Sequence, residues 1–199
     1  MKAGGKWLHG WEALAIADAV AAPTQATTLV RAGLDDLVAG NARVVVGEVV
    51  DVDSHWNDEG TFIVTDVRVQ PLEILKGRPQ QGEITVTLMG GTVGDLTTLI
   101  LGGAELIPGR AYVLFLNNEQ LPGIDSALTV RDLCQGAFDL VMTKGGLRAV
   151  SQATRQPLVP NAFGQAVAPG GVEGIPFEAL VQSIRDIENR QQGARQEVK

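Results

Sequence analysis

Five oxygen-bearing side chains crowd a short stretch of this sequence: Asp51, Asp53, Asn57, Asp58 and Glu59. Carboxylates and amide carbonyls are the hard donors that calcium takes. Their spacing departs from the EF-hand pattern, because Trp56 stands where that loop turns on a glycine. A solvated acidic turn is the stronger reading of Asp51, Asp53, Asp58 and Glu59, with a calcium site the weaker one.

Cys134 and His55 are the one thiol–imidazole combination that the composition offers besides His9. Nucleophilic catalysis needs the two side chains within hydrogen-bond reach and a third group to orient the imidazole. Nothing in their spacing predicts this, and a lone cysteine beside Leu133 reads as a small buried hydrophobe. A single cysteine forms no internal disulfide, and two histidines with one cysteine fall short of a structural zinc site. The Gly90-Gly91-Thr92-Val93-Gly94 run lacks the lysine–serine ending of a phosphate loop and reads as a turn. No catalytic residue and no cofactor follows from these patterns.

Contact chemistry is better represented. Trp7, Trp11 and Leu14 share one face if residues 7–14 are helical, and Lys2 and Lys6 precede them. Such a face suits a membrane interface or a partner protein. His55 and Trp56, between two strand-like runs, are the second contact candidate. A tryptophan there either folds back over the core or meets a partner.

The 199 residues are 45% hydrophobic and 20% charged, enough for one folded domain with a sizeable core. A net charge of −7 argues against nucleic acid as a partner, since phosphate binding needs a cationic surplus. Residues 1–26 read as a leader or docking segment. Alanine-rich residues 14–22 and Pro23-Thr24-Gln25-Ala26 follow the order of an export signal, which Glu12 and Asp18 interrupt. No window reaches the length of about 18 apolar residues that a transmembrane helix needs. Export or envelope residence is favoured over the cytoplasm.

The elements that must position these residues are mostly strands. A helix is predicted over 28–39, ended by Gly40. Strands are predicted over 43–54, 61–69, 83–89, 96–101 and 111–116, the last apolar enough to be buried on both faces. Gly47 interrupts the alternation of the first strand and predicts a bulge or bend. Pro71 predicts an edge or corner. A hairpin follows over 136–151, turning at Lys144-Gly145-Gly146. Residues 157–174 read as a long irregular connection. An amphipathic helix is predicted over 176–190, and 193–199 form a polar tail. The domain proper spans 27–192.

The landmarks Ala42-Arg43-Val44-Val45-Val46-Gly47-Glu48-Val49, Ile74-Leu75-Lys76-Gly77, the Gly90–Gly94 run, Gly109-Arg110-Ala111-Tyr112-Val113-Leu114-Phe115-Leu116 and Gln135-Gly136-Ala137-Phe138 are similar to a group of exported bacterial proteins of mostly unassigned function. The resemblance covers roughly residues 28–190. It implies a mainly β domain, a small OB-like or metalloproteinase-inhibitor-like barrel with an N-terminal and a C-terminal helix. Metalloproteinase inhibitors of that shape chelate the target's zinc through an N-terminal cysteine, which this chain lacks, and no HExxH pattern occurs. The expected function is a non-enzymatic binding or assembly module, an accessory subunit or interaction protein of the envelope. The alternative is a secreted hydrolase or hydrolase regulator acting at the barrel mouth.

Overall fold

The computed structural model describes residues 29–162, 164, 165 and 167–197. The segment 1–26, with Trp7, Trp11 and Leu14, lies outside the described residues. The fold is mainly β, with two α-helices and antiparallel pairing in its main sheet.

A short strand β1 (Leu29–Val30) opens the described chain, followed by helix α1 (Leu34–Gly40). The helix therefore starts later than its apolar stripe predicts. The buried Gln135 side chain accepts from Ala32 N at 2.8 Å and donates to Val30 O at 2.8 Å. Those two backbone groups are thereby taken out of any helical ladder. The long strands β2 (Arg43–Trp56) and β3 (Ile63–Lys76) pair along their lengths, and β4 (Ile84–Met89) pairs with β3.

Register shifts fall at Val46/Gly47, as the broken alternation predicts, and at Val44/Val45 and Val49/Asp51. A Cβ on Gly47 would lie 2.5 Å from Val69 Cγ1 and 3.0 Å from Gln70 O. The missing side chain lets β3 cross closely here. Pro71 sits opposite Gly47 and beyond Val69, the last β3 residue paired with β4, so it lies on an edge stretch of the strand as expected, and β3 runs on to Lys76 without a corner.

Two small strands, β5 (Gly91–Val93) and β6 (Leu96–Thr98), make a separate hairpin where a simple turn and a longer return strand are expected. Strand β7 (Ala111–Leu121) pairs with β2 through its first half and with β8 (Ile124–Val130) through its second. Beyond β7 come β9 (Ala137–Thr143), β10 (Gly146–Ser151) and β12 (Ile175–Pro176), while β11 (Leu158–Val159) pairs in parallel with β1. Pro176 lies in β12, so helix α2 (Phe177–Glu197) begins one residue later and continues well past Arg190. Residues 191–197 are mostly good helix formers, which carries the helix into the expected polar tail.

The main sheet has the order β12-β10-β9-β7-β2-β3-β4, with β8 on the second half of β7. No sheet among the described residues closes on itself. β4 and β8 lie beside each other without pairing.

Two cores lie on opposite faces of the central strands. Val45, Val49, Tyr112, Leu114 and Leu116 join Val67, Val69, Ile84 and Val86 in one. Val44, Val46, Val113 and Phe115 join Phe138, Leu37, Leu180 and Ile184 in the other, under the two helices. Burying both faces of residues 112–116 is what their unbroken apolar run encodes. Each such side chain contributes on the order of 1.5–3 kcal/mol by leaving water.

Candidate functional site: an apolar cleft between two strand edges

Along the unpaired seam between β4 and β8 lies an open cleft of about 800 Å³. Val52, Thr65 and Val67 from β2 and β3, Leu88 from β4 and Val130 from β8 line it, together with the 97–107 segment. The volume falls in the range of small-molecule and peptide-side-chain pockets, about 300–1,000 Å³.

The rim is unusual for a soluble surface. Leu99 is 76% and Leu101 80% exposed, and Ile107 beside them is 46% exposed; all three line the cleft. A single exposed leucine is ordinary, but here three large apolar side chains border one concave surface and make a contiguous apolar rim.

Side chains from β7 and from the 3-10 turn after β10 (Gln152–Arg155) hold the segment that carries them. Gln152 accepts from Glu105 N at 2.9 Å and donates to Glu105 O at 2.8 Å. The Tyr112 hydroxyl accepts from Ile107 N at 2.9 Å, and burial pushes its pKa up, so it stays protonated. Beneath Gln152, the buried carboxylate of Asp139 takes Gln152 Nε2 at 3.0 Å and Arg155 Nη2 at 2.7 Å. Arg155 also reaches Glu105 at 3.4 Å.

The end of the cleft near β5 has a short polar chain. Ser54 Oγ donates to Thr65 Oγ1 at 2.8 Å, and Thr65 Oγ1 donates to Gly90 O at 2.6 Å. Gly91, at φ +132°, passes so close that a Cβ there would lie 2.3 Å from Thr65 Oγ1. The glycine pair is thus a close approach of backbone to these hydroxyls as well as a bend.

At the opposite end Asp132 and Leu133 take left-handed backbone angles, φ +51° and +62°, a conformation uncommon for non-glycine residues. The turn is closed by Gln135 N on Asp132 O at 3.2 Å and Gly136 N on Arg131 O at 3.1 Å. Both Asp132 and Leu133 line the cleft. Strain of this kind, of order 1–3 kcal/mol per residue, persists where the surroundings enforce it.

The residues named from sequence fall elsewhere. Strand alternation puts Val52 and Ser54 towards the cleft and Asp51, Asp53 and His55 on the other face. Asp51 pairs with Arg68 at 2.7 Å. Asn57 is buried as a turn organiser: its Oδ1 accepts from Thr61 N at 2.8 Å and Phe62 N at 3.1 Å, and its Nδ2 donates to Pro122 O at 3.0 Å. No group of three or more acidic, histidine or cysteine side chains suited to a metal occurs among the described residues, so Asp51, Asp53, Asp58 and Glu59 are not brought together.

His55 is held at both nitrogens. Nδ1 lies 2.8 Å from Trp56 O and Nε2 3.2 Å from Asp66 Oδ2, while Thr87 Oγ1 donates to Asp66 Oδ1 at 2.6 Å. A carbonyl and a carboxylate both accept, so this geometry suits the doubly protonated ring. The Trp56 carbonyl raises the His55 pKa most; burial opposes it, and the Asp66 and Asp53 carboxylates add to the rise, so the net shift is upward. Trp56 ends β2 opposite Ile63 and is 40% exposed.

Cys134 packs with Ala153, Ala168, Leu29 and Leu158, and burial raises its thiol pKa. Both His55 nitrogens are occupied by other groups, so the thiol–imidazole pair does not form.

Gln152, Tyr112, Asp139 and the 132–133 turn escape a reading of the sequence. Only Asp139 carries a local signal, a charge inside the apolar run Ala137-Phe138-Asp139-Leu140-Val141. No helix among the described residues is long and apolar enough to cross a membrane. No protein-family model matches the chain, and no curated protein matches it significantly.

Proposed function

We propose that the protein is a non-enzymatic binding or assembly module, an accessory subunit or interaction protein of the bacterial envelope, and that it engages its partner through the cleft. The observation that carries this reading is the concave apolar surface bordered by Leu99, Leu101 and Ile107. The proposed scaffold is an OB-like barrel of β2, β3, β4, β7 and β8, left open between β4 and β8. The order β8-β7-β2-β3-β4 and the closeness of the two outer strands support it, since such barrels are five-stranded and often partly open. Envelope residence rests on the landmark resemblance and on the signal-like order of residues 1–26.

The test replaces Leu99 and Leu101 together by glutamate, exposed positions where the change leaves the core untouched. Binding of an apolar fluorescent probe such as anilinonaphthalene sulfonate, and co-purification with a defined envelope partner, should both fall at least about tenfold. Undiminished binding with an intact fold rejects the cleft as the contact surface.

A second reading, a secreted hydrolase or hydrolase regulator, is favoured by one observation, the His55–Asp66 hydrogen bond. Against it stands the engagement of both ring nitrogens, which leaves no free lone pair for proton abstraction. Hydrolytic turnover that disappears in His55→Ala would select this reading.

A further inference from the structure

The geometry points to a second site, an anion pocket that takes a small phosphate monoester between Arg43 and Arg78. It goes beyond the contact cleft, with which it shares no lining residue.

Arg43 opens β2, and Arg78 follows the end of β3 by two residues. Both line a concavity of about 460 Å³, together with Gln80, Thr85 and Asn118. No acidic side chain lines it among the described residues. In a chain of net charge −7, neither guanidinium forms an ion pair among the described residues. The carboxylates closest in sequence are directed elsewhere. Glu83 holds Arg68 at 3.8 Å, and Glu119 lines the cleft while its neighbour Asn118 lines this pocket.

The two arginines are brought together by their surroundings. Gly77, at φ +102°, approaches so closely that a Cβ there would lie 2.9 Å from Ala42 O and 3.3 Å from Arg43 Cγ. The turn that carries Arg78 is thereby packed on the stem of Arg43. Arg43 Nη1 donates to Gln80 Oε1 at 2.5 Å, and Gln80 Nε2 donates to Glu83 O at 3.1 Å, which ties the start of β2 to the approach to β4. A guanidinium has five N–H donors. Arg43 uses one of them on Gln80, and Arg78 uses none among the described residues. The Asn118 amide and the Thr85 hydroxyl also have no side-chain hydrogen bond there. The lining is rich in donors and positive charge and short of acceptors.

That imbalance selects the ligand. A carboxylate saturates one guanidinium fork and cancels one charge. A phosphate monoester carries close to two negative charges and three acceptor oxygens, which match two forks and the neutral donors beside them. The volume is that of a small-molecule pocket and leaves room for an organic body against Ile84 and Leu128. A concave site on an acidic protein suits a soluble monoester better than an anionic membrane, which is drawn to a broad basic surface.

The experiment is isothermal titration calorimetry on the full chain, with ribose 5-phosphate as the probe and acetate as the control. Ribose 5-phosphate should bind saturably, at least about tenfold more tightly than acetate. Arg78→Met, at an exposed position, should weaken it at least about tenfold, and Arg78→Lys should recover only part of the loss because an ammonium lacks the fork. Asn118→Asp, which sets a competing carboxylate in the lining, should weaken it likewise. Arg110→Met removes the same charge from an exposed arginine outside the pocket and should leave the affinity unchanged. Absence of saturable binding, equal binding of acetate, or an equal loss in Arg110→Met overturns the inference. Binding confined to phosphatidylcholine vesicles that contain phosphatidic acid also overturns it, by assigning the arginines to a membrane surface.

Discussion

Gln152 and Glu105 are joined by two hydrogen bonds between one side-chain amide and one backbone residue, at 2.9 and 2.8 Å. The pairing copies a strand ladder across 47 residues and fixes the 97–107 segment over the cleft. Replacing Gln152 by leucine keeps the volume and loses both bonds. We expect a destabilisation of about 1–3 kcal/mol in urea unfolding and faster proteolysis between 99 and 107. Gln152→Glu should be worse, because its carboxylate would meet Asp139 Oδ1, now 3.0 Å from the amide. Equal midpoints for the two variants would show that the Asp139 contact is immaterial.

Gly47 is required by space, not by backbone angle. A methyl group there meets Val69 Cγ1 at 2.5 Å and the Gln70 carbonyl at 3.0 Å. Gly47→Ala should therefore cost about 1–3 kcal/mol by forcing β2 and β3 apart. Gly60 is the contrasting position: its φ is +67° and an added methyl carbon would meet nothing within 4 Å, so any cost there comes from the backbone alone. Thermal unfolding of Gly47→Ala that matches the parent would show that the crossing relaxes freely.

The Lys76–Glu188 pair ties β3 to α2 at 3.3 Å, and both side chains are largely buried. Lys76 Nζ also donates to Val38 O at 2.6 Å. The Glu188 Oε2 atom lies within ionic contact of Lys76, yet no well-aligned hydrogen bond reaches it. Lys76→Ala should cost about 3 kcal/mol by stranding that carboxylate. Combining Lys76→Met with Glu188→Leu should recover most of the loss, since an apolar pair avoids the desolvation cost. A double variant as unstable as Lys76→Ala would show that the bond to Val38 O matters more than the ion pair.

His55 gives a pH signature. Its pKa in the folded protein is raised from the ordinary 6.5 by the Trp56 carbonyl and Asp66. The charged ring is therefore bound more firmly in the folded state. This contribution is complete below pH 6.5 and fades as pH rises through the folded-state value. At 43% side-chain exposure the effect is small and screened by salt. NMR titration should place the His55 midpoint above that of an unstructured peptide, and Asp66→Asn should lower it. A midpoint unmoved by Asp66→Asn would leave the Trp56 carbonyl as its support.

The strands of the central sheet are legible in the sequence wherever one pattern governs both faces. Residues 111–116 are apolar throughout and indeed bury both faces, and Gly47 marks its bulge by breaking the valine alternation. β8 is hidden, because Asn117-Asn118-Glu119-Gln120 reads as a polar loop although it continues β7. The Pro122-Gly123 turn and the alternation of Leu121, Ala127 and Thr129 are the signals present there. The early helix is shorter than its stripe because Gln135, more than a hundred residues away, claims the backbone of Val30 and Ala32. The cleft is invisible in the sequence for the same reason. Its leucines, Gln152 and the 132–133 turn come from separate stretches, and no local spacing links them.

The alternation of β7 between two cores has a consequence for how damage spreads. Tyr112 and Leu114 belong to the cleft-side core, and Val113 and Phe115 to the helix-side core, on one backbone. The strand acts as a party wall, so neither room can be rebuilt while the other stays furnished. Loosening the packing of Leu180 or Ile184 under α2 should therefore be felt at the cleft, and unfolding should proceed as a single transition.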